Sequence, residues 1–135
     1  MKIEMLKSKL HLACVTDGDV QYEGSLGIDA ELMDAVGILP YEKLLVADVN
    51  NGARFETYAI AEPPGSRRIV LNGAAARLGC IGDRLIIMTY AWVEDAEVRH
   101  GRFRPRVLRL DEGNNPVYPL TGMPTFGDIA TMLEG

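Results

Sequence analysis

Alternation of hydrophobic and polar residues runs through most of the chain and predicts a protein built mainly of β-strands. Segments that alternate, or that carry a run of β-branched apolar residues, are KLHLACVTD (9–17), KLLVADV (43–49), ARFETYAIA (53–61), SRRIVLNG (66–73), RLIIMTYAWV (84–93) and RPRVLRLD (104–111). The turn Asn50-Asn51-Gly52 predicts a hairpin between the second and third of these segments, because Asn and Gly tolerate positive φ. Short strands separated by turn residues are typical of a small barrel or sandwich.

One helix is predicted over residues 28–38, IDAELMDAVGI. Asp29 suits the N-cap, and Gly37 suits the position just after the helix. The spacing puts four apolar side chains on one face: Ile28, Leu32, Ala35 and Val36. A second short helical turn is predicted in GAAARLG (73–79).

The remaining segments read as turns and loops. Asp17-Gly18-Asp19 predicts a turn that closes the first strand, and QYEGSLGID (21–29) predicts a loop leading into the helix. The tail from Asn114 is rich in turn residues up to about Gly127, with a weak helix predicted over 128–135. Because no repeat or linker divides the chain, we expect residues 1–135 to form a single domain, with about 114–135 as a variable C-terminal tail.

Charge and targeting signals narrow the function classes. The net charge of −5 argues against nucleic-acid binding, which favours a basic face. The first fifteen residues carry interspersed charges and no apolar h-region, and no apolar run reaches transmembrane length, so we expect neither export nor a membrane partner. Cys14 and Cys80 are then best interpreted as reduced thiols of a cytoplasmic protein, although they could in principle pair.

Motifs for metal or nucleotide chemistry are not found. His11 and Cys14 are three residues apart on a predicted strand and so point to opposite faces, and there is no CxxC, HExxH or GxxxxGK[ST]. We therefore expect no metal. A Ser-His-Asp triad stays open, since Ser25, His11 and several aspartates are present, but no motif positions them.

Four separated pieces together resemble bacterial aspartate 1-decarboxylase, a pyruvoyl-dependent family that makes β-alanine for pantothenate and coenzyme A biosynthesis. These pieces are KLHLACVT (9–16), YEGS (22–25), NNGARFETYAI (50–60) and LNGAAARL (71–78), and the resemblance covers about residues 1–110. The resemblance implies a small double-psi β-barrel with one or two short helices. It also implies a homotetramer with active sites between neighbouring subunits, and in some relatives a maturation factor.

The resemblance further implies that the chain is a proprotein that cleaves itself between Gly24 and Ser25. The Ser25 hydroxyl would attack the Gly24 carbonyl, and elimination and hydrolysis would follow. The products would be a β chain (1–24) and an α chain (25–135) that begins with a pyruvoyl group, so no external cofactor is required. Thr57 matches the family residue that stabilises the developing oxyanion and contacts substrate.

Substrate chemistry explains the other matching residues. Aspartate has two carboxylates, and Arg54 and Lys9 match the family's substrate-binding cations, the arginine being suited to a bidentate contact. Tyr58 matches the proton donor. The segment that orients the cleavage loop and the substrate corresponds to Asn72, Gly73, Ala74 and Ala75. His11 and Tyr22 align near the family's active site and carry less weight.

Strand alternation creates a tension within this set. Arg54 and Tyr58 share one face of their strand, whereas Thr57 lies on the other, unless the strand is bulged or Thr57 serves a neighbouring subunit. Ala47 replaces a tryptophan that lines the site in some relatives, which affects the shape of the pocket more than the reaction. An alternative function is an uncleaved barrel that acts as a binding or interaction module.

Overall fold

The computed structural model describes residues 1–117, and the prediction of a mainly β fold is confirmed. The strands are β1 Lys2–Cys14, β2 Asp17–Asp19, β3 Ser25–Asp29, β4 Lys43–Asp48, β5 Arg54–Glu62, β6 Ile69–Asn72, β7 Arg84–Glu94 and β8 Arg106–Arg109. The helices are α1 Ala30–Val36 and α2 Asp95–Arg99, with a 3₁₀ helix at Gly73–Arg77. The predicted helix at 128–135 lies outside the described residues. No helix within residues 1–117 is long and apolar enough to span a membrane.

The strands form one eight-stranded sheet in the order β2-β6-β3-β5-β4-β7-β1-β8. The pairs β1–β8, β2–β6 and β3–β5 are parallel, and the other pairs are antiparallel. After β1 the chain crosses to the far part of the sheet, where the Thr16 amide donates to the Ile69 carbonyl at 2.9 Å. The sheet is therefore curled, and its inner faces meet in one core whose largest members include Leu10, Leu26, Leu44, Leu71, Leu85 and Ile87.

The locally encoded elements form as predicted. The β4–β5 hairpin closes around the Asn50-Asn51-Gly52 turn, with Gly52 at φ +78°. Helix α1 begins after Asp29, whose carboxylate accepts the Glu31 amide, and ends at Gly37 with φ +76°. On its apolar face Ala35 is exposed and Met33 is buried instead. The predicted turn at 73–79 is the 3₁₀ helix.

Two segments predicted as turns or loops are strands. Asp17–Asp19 is β2, paired in parallel with Val70–Asn72 of β6. Ser25–Asp29, the second half of the predicted loop, is β3, and every one of its residues is buried. The glycines in both segments suggested turns, but β3 lies between β5 and β6 and is covered on both faces. Nonlocal pairing therefore decides the conformation here against the local signal.

Hydrogen bonds attach the end of the described chain to the barrel at Asn114. The sequence predicted that a variable tail begins at this residue. Asn114 is fully buried and has φ +61°. Its side chain accepts from the Cys14 amide at 2.6 Å and donates to the carbonyls of Cys14 and Arg67, both at 2.9 Å. The barrel contacts therefore extend at least to Asn114. Cys14 and Cys80 are both free thiols.

Asp29 joins the start of α1 to the loop before β6. Its buried carboxylate accepts backbone N–H groups from Glu31, Gly65 and Arg67 at 2.7–2.9 Å, and the Arg67 guanidinium lies 3.4 Å away. Burial raises the pKa of the Asp29 carboxyl. The backbone hydrogen bonds and the Arg67 charge together lower the pKa by a larger amount, so it lies below its usual value. The ionised carboxylate therefore stabilises the fold.

Asp29→Asn is expected to reduce the free energy of unfolding by about 1–3 kcal/mol at pH 7, because an amide cannot satisfy every donor. A lowered carboxyl pKa stabilises the folded state above the unfolded pKa of about 3.9, and that stability is lost as the pH falls through the folded value. Denaturant unfolding near pH 7 and near pH 3, at one protein concentration, should show the difference from wild type shrinking in acid. Asp34→Asn, an exposed change on the same helix, is the control. An equal loss at both pH values would contradict this role.

Candidate active site

Ser25 is fully buried at the first position of β3, directly after the exposed Gly24. Its hydroxyl accepts a hydrogen bond from the Asn72 side-chain amide at 3.1 Å and donates to the Glu23 carbonyl at 3.3 Å. Ser25 and Asn72 are paired across the β3–β6 ladder, so regular sheet geometry holds the two side chains together. A buried hydroxyl that two hydrogen bonds hold is thus placed directly after the carbonyl group of an exposed glycine.

Gly73 packs against this segment so closely that only glycine fits. Its φ is +62°, and a Cβ there would lie 2.7 Å from both the N and Cα atoms of Gly24 and 2.9 Å from the Tyr22 carbonyl oxygen. Those neighbours are all backbone atoms, which cannot rotate away. The Asn72-Gly73 pair therefore fixes both sides of the Gly24–Ser25 peptide bond.

Tyr58 lies beside Ser25. In the parallel β3–β5 ladder Leu26 pairs with Ala59, and both are in the core, so the preceding residues Ser25 and Tyr58 lie on the opposite face. Thr57 is opposite the buried Leu44 and faces inwards. The β4–β5 register runs without a shift through this stretch, so the bulge that might have turned Thr57 towards Arg54 and Tyr58 is not observed.

The two cations predicted to bind substrate lie on the outer face of the sheet, distant from Ser25. Arg54 is exposed at the start of β5, four residues before Tyr58, which is about 13 Å along a strand. Lys9 is half-buried on β1, which β4 and β7 separate from β5. Within residues 1–117 neither cation forms an ion pair with a carboxylate. A single chain therefore does not bring Lys9, Arg54 and Ser25 into one pocket.

A row of paired residues connects Arg54 to His11 across the outer face. Arg54 pairs with Ala47, Ala47 with Ile86, and Ile86 with His11. Ala47, the departure noted in the sequence, is thus the immediate neighbour of Arg54 and leaves space beside it. Burial lowers the pKa of His11, and the charges of Lys9, Arg109 and Arg84 lower it further, so the neutral imidazole is favoured.

A cavity of about 500 Å³ opens beside Asn72 and Tyr22, on the same side as Ser25. Its charged lining consists of Asp17, Asp19, Glu62 and Arg68. Arg68 lies 3.6 Å from the carboxylates of both Asp17 and Glu62, so its charge is already matched. The cavity is therefore acidic and does not suit a dicarboxylate, although it borders the candidate site.

The structure thus divides the predicted site residues into groups. Ser25, Gly24, Asn72 and Gly73 come together, and the strand register puts Tyr58 on the same face as Ser25. Tyr22 is half exposed at the edge of the cavity, and Ala75 is buried. Ala74 is exposed, Thr57 faces inwards, and Lys9, His11 and Arg54 lie elsewhere on the sheet.

The sequence did not indicate Tyr41, whose ring lies 6.4 Å from that of Tyr58. Its contact depends on a loop conformation for which no local pattern is diagnostic. Within residues 1–117, no cluster of three or more His, Cys, Asp and Glu side chains is arranged to hold a metal ion.

Comparison with known proteins agrees with the resemblance seen in the sequence. The family described as "Aspartate decarboxylase" matches residues 1–117. The chain is similar to "Aspartate 1-decarboxylase" of Chlorobium chlorochromatii, with 55% identity over 116 residues, covering 86% of this chain and 88% of the relative. Proteins of the same name from Lactiplantibacillus plantarum (54% over 114 residues, 84% and 86%) and Leptospira biflexa (51% over 116 residues, 86% and 98%) are also similar. The chain belongs to the aspartate decarboxylase family.

Proposed function

We propose that this protein decarboxylates L-aspartate to β-alanine and CO₂, supplying pantothenate and coenzyme A biosynthesis, after cleaving itself between Gly24 and Ser25. The observation that carries the proposal is the buried Ser25 hydroxyl, held by Asn72 beside a Gly24 backbone against which Gly73 packs. Family membership favours this enzyme over an uncleaved binding module. The products of cleavage would be chains 1–24 and 25–135 of one domain.

Cleavage follows from the positions of the chain's own groups. The Ser25 oxygen attacks the Gly24 carbonyl carbon, and the acyl group moves from nitrogen to oxygen. Elimination then releases the Gly24 carboxylate, and hydrolysis releases ammonia. Asn72 orients the attacking oxygen, and Gly73 holds the Gly24 segment in place. Thr57 is proposed, from the family pattern, to stabilise the developing oxyanion.

The residues around Ser25 fit the pyruvoyl group that this chemistry would leave. Its precursor Ser25 is buried in the intact chain, with an amide donor at one side and Tyr58 on the same face. A pyruvoyl ketone supplies the electron sink that decarboxylation requires, without an external cofactor. Tyr58 is suited to return a proton to the substrate carbon, since its position beside Ser25 keeps the phenol near the reacting atoms.

Lys9 and Arg54 are proposed to bind the two carboxylates of aspartate, with Asn72, Gly73, Ala74 and Ala75 orienting the substrate. Their separation from Ser25 within one chain supports active sites formed between subunits of a homotetramer. An outer-face cation of one subunit would then face Ser25 of its neighbour. Loss of assembly should therefore abolish turnover.

We also propose that the enzyme is cytoplasmic, in keeping with its free thiols. Cleavage is proposed to be intramolecular, and a maturation factor would act by accelerating it. No nucleic-acid or membrane partner is proposed.

The proposal is tested by a denaturing mass spectrum together with a turnover assay on the purified protein. We expect two fragments, the longer one beginning at residue 25 and lighter by one ammonia than the same fragment with an N-terminal serine. L-aspartate should yield β-alanine, detected by NMR, whereas L-alanine, which lacks the second carboxylate, should not react. A fully cleaved protein that leaves aspartate unchanged would reject the proposed activity.

A further inference from the structure

Tyr41 adopts a backbone conformation that is unfavourable for a bulky side chain. Its φ is +68°, in the left-handed region where non-glycine residues are uncommon. Among side chains Asn and Asp enter this region most readily, and a tyrosine there is a genuine outlier. Strain of this kind persists only where surrounding contacts impose it, and it concentrates at functional sites.

Hydrogen bonds and an ion pair hold the loop at residues 39–42 in place and impose the strain at Tyr41. The Tyr41 amide donates to the Ala59 carbonyl at 2.8 Å, and the Ala59 amide donates to the Glu42 carbonyl at 2.9 Å. The Glu42 carboxylate in turn accepts the Leu39 amide at 3.0 Å and binds the Lys7 ammonium at 2.7 Å. The loop is therefore attached to β5 at the residue that follows Tyr58.

Burial does not explain why a tyrosine occupies this position. The side chain is 77% exposed, and within residues 1–117 its one aromatic contact is with Tyr58, at 6.4 Å between ring centroids and 35° between planes. This separation lies in the range that aromatic pairs prefer. The strained backbone thus directs an otherwise solvated ring against the side chain proposed as the proton donor.

We infer that Tyr41 is a positioning residue that holds the Tyr58 ring in its working orientation at the expense of backbone strain. This inference rests on the proposed function only for the role of Tyr58, because the contact between the two rings is independent of it. A phenol that delivers a proton must be held in one orientation, and the Tyr58 ring is only half-buried, so a neighbouring ring can restrict it. Tyr41 provides such a neighbour from a loop that is itself immobilised.

The test is Tyr41→Asn, which removes the ring and suits the left-handed conformation. We expect complete chain cleavage and a melting temperature higher by about 2–5 °C, because strain is relieved. The kcat for aspartate should fall by about 2- to 10-fold, the range expected for loss of an aromatic pair, with KM changing less than kcat. A purely structural role predicts that stability and turnover fall together.

Two variants sharpen the result. Tyr41→Phe restores the ring, so kcat should recover while the melting temperature stays at the wild-type value. Leu39→Asn, an exposed change in the same loop away from Tyr58, should leave both unchanged. Unaltered kcat in Tyr41→Asn, or an equal loss in Leu39→Asn, would overturn the inference.

A readout that does not depend on turnover separates this inference from the proposed function. In protein labelled with fluorotyrosine, the ¹⁹F resonance of Tyr58 is assigned from its loss in Tyr58→Phe. This resonance should shift in Tyr41→Asn and return to its wild-type position in Tyr41→Phe. If the wild type is inactive but the Tyr58 resonance shifts in Tyr41→Asn, the decarboxylase proposal is rejected and the positioning of Tyr58 is retained. An unchanged Tyr58 resonance would reject the positioning role whatever the activity.

Discussion

Ser25→Ala is expected to fold as an intact single chain with no detectable cleavage and no turnover of aspartate. The alanine lacks the oxygen that attacks the Gly24 carbonyl, and loss of a nucleophile typically costs at least about 10³-fold in rate. The fold should survive, since a methyl group occupies less space than the hydroxymethyl group it replaces. Leaving the buried Asn72 amide without its partner costs about 1–3 kcal/mol, which is less than the stability of a typical domain.

Mass spectrometry and circular dichroism of the same sample check this expectation. Ser66→Ala, which changes an exposed loop serine, is the control and should be cleaved like wild type. Two fragments from Ser25→Ala would show that another group breaks the chain. An unfolded Ser25→Ala would show instead that the hydroxyl serves mainly the structure.

The sequence predicted those elements that short-range chemistry determines. The β4–β5 hairpin depends on Asn and Gly in its turn, and α1 depends on Asp29 at one end and Gly37 at the other. Each signal lies within a few residues of the element it controls. The alternation of Arg54, Thr57 and Tyr58 along β5 was predicted correctly for the same reason.

Predictions from the sequence were wrong or missing where distant segments decide the conformation. Gly18 and Gly27 suggested loops, yet β2 and β3 are strands because β5 and β6 pair with them. A short strand buried on both faces has no alternation to detect, so its sequence resembles a glycine-rich connection. This matters for the site, because the misread segment begins with Ser25.

The residues of the candidate site also divide into those that the sequence predicted and those that only the fold brings into contact. The family pattern predicted Ser25, Asn72 and Tyr58; the structure holds Ser25 against Asn72, and the strand register puts Tyr58 on the same face. The contact between Gly73 and the Gly24 backbone, and that between Tyr41 and Tyr58, depend on how loops cross in space. Sequence spacing carries no information on such approaches, which only the fold creates.

Gly73→Ala is expected to slow chain cleavage by roughly 100-fold while leaving a folded protein. The added Cβ would lie 2.7 Å from two backbone atoms of Gly24, so the cleavage segment must shift. A displacement of about 1 Å from a reactive geometry can cost about 10²-fold in rate. Alanine at φ +62° also costs about 1–2 kcal/mol of backbone strain.

Gly82→Ala separates the two effects. Gly82 has φ +94°, and no atom lies within 4 Å of its added Cβ, so this variant acquires backbone strain without touching the cleavage segment. We expect both variants to lose stability in denaturant unfolding, but only Gly73→Ala to accumulate uncleaved chain in a time course by mass spectrometry. Cleavage at the wild-type rate in Gly73→Ala would show that the Gly24 segment adapts to the added atom. Equal slowing in both variants would attribute the effect to stability, because the close approach to Gly24 is absent at Gly82.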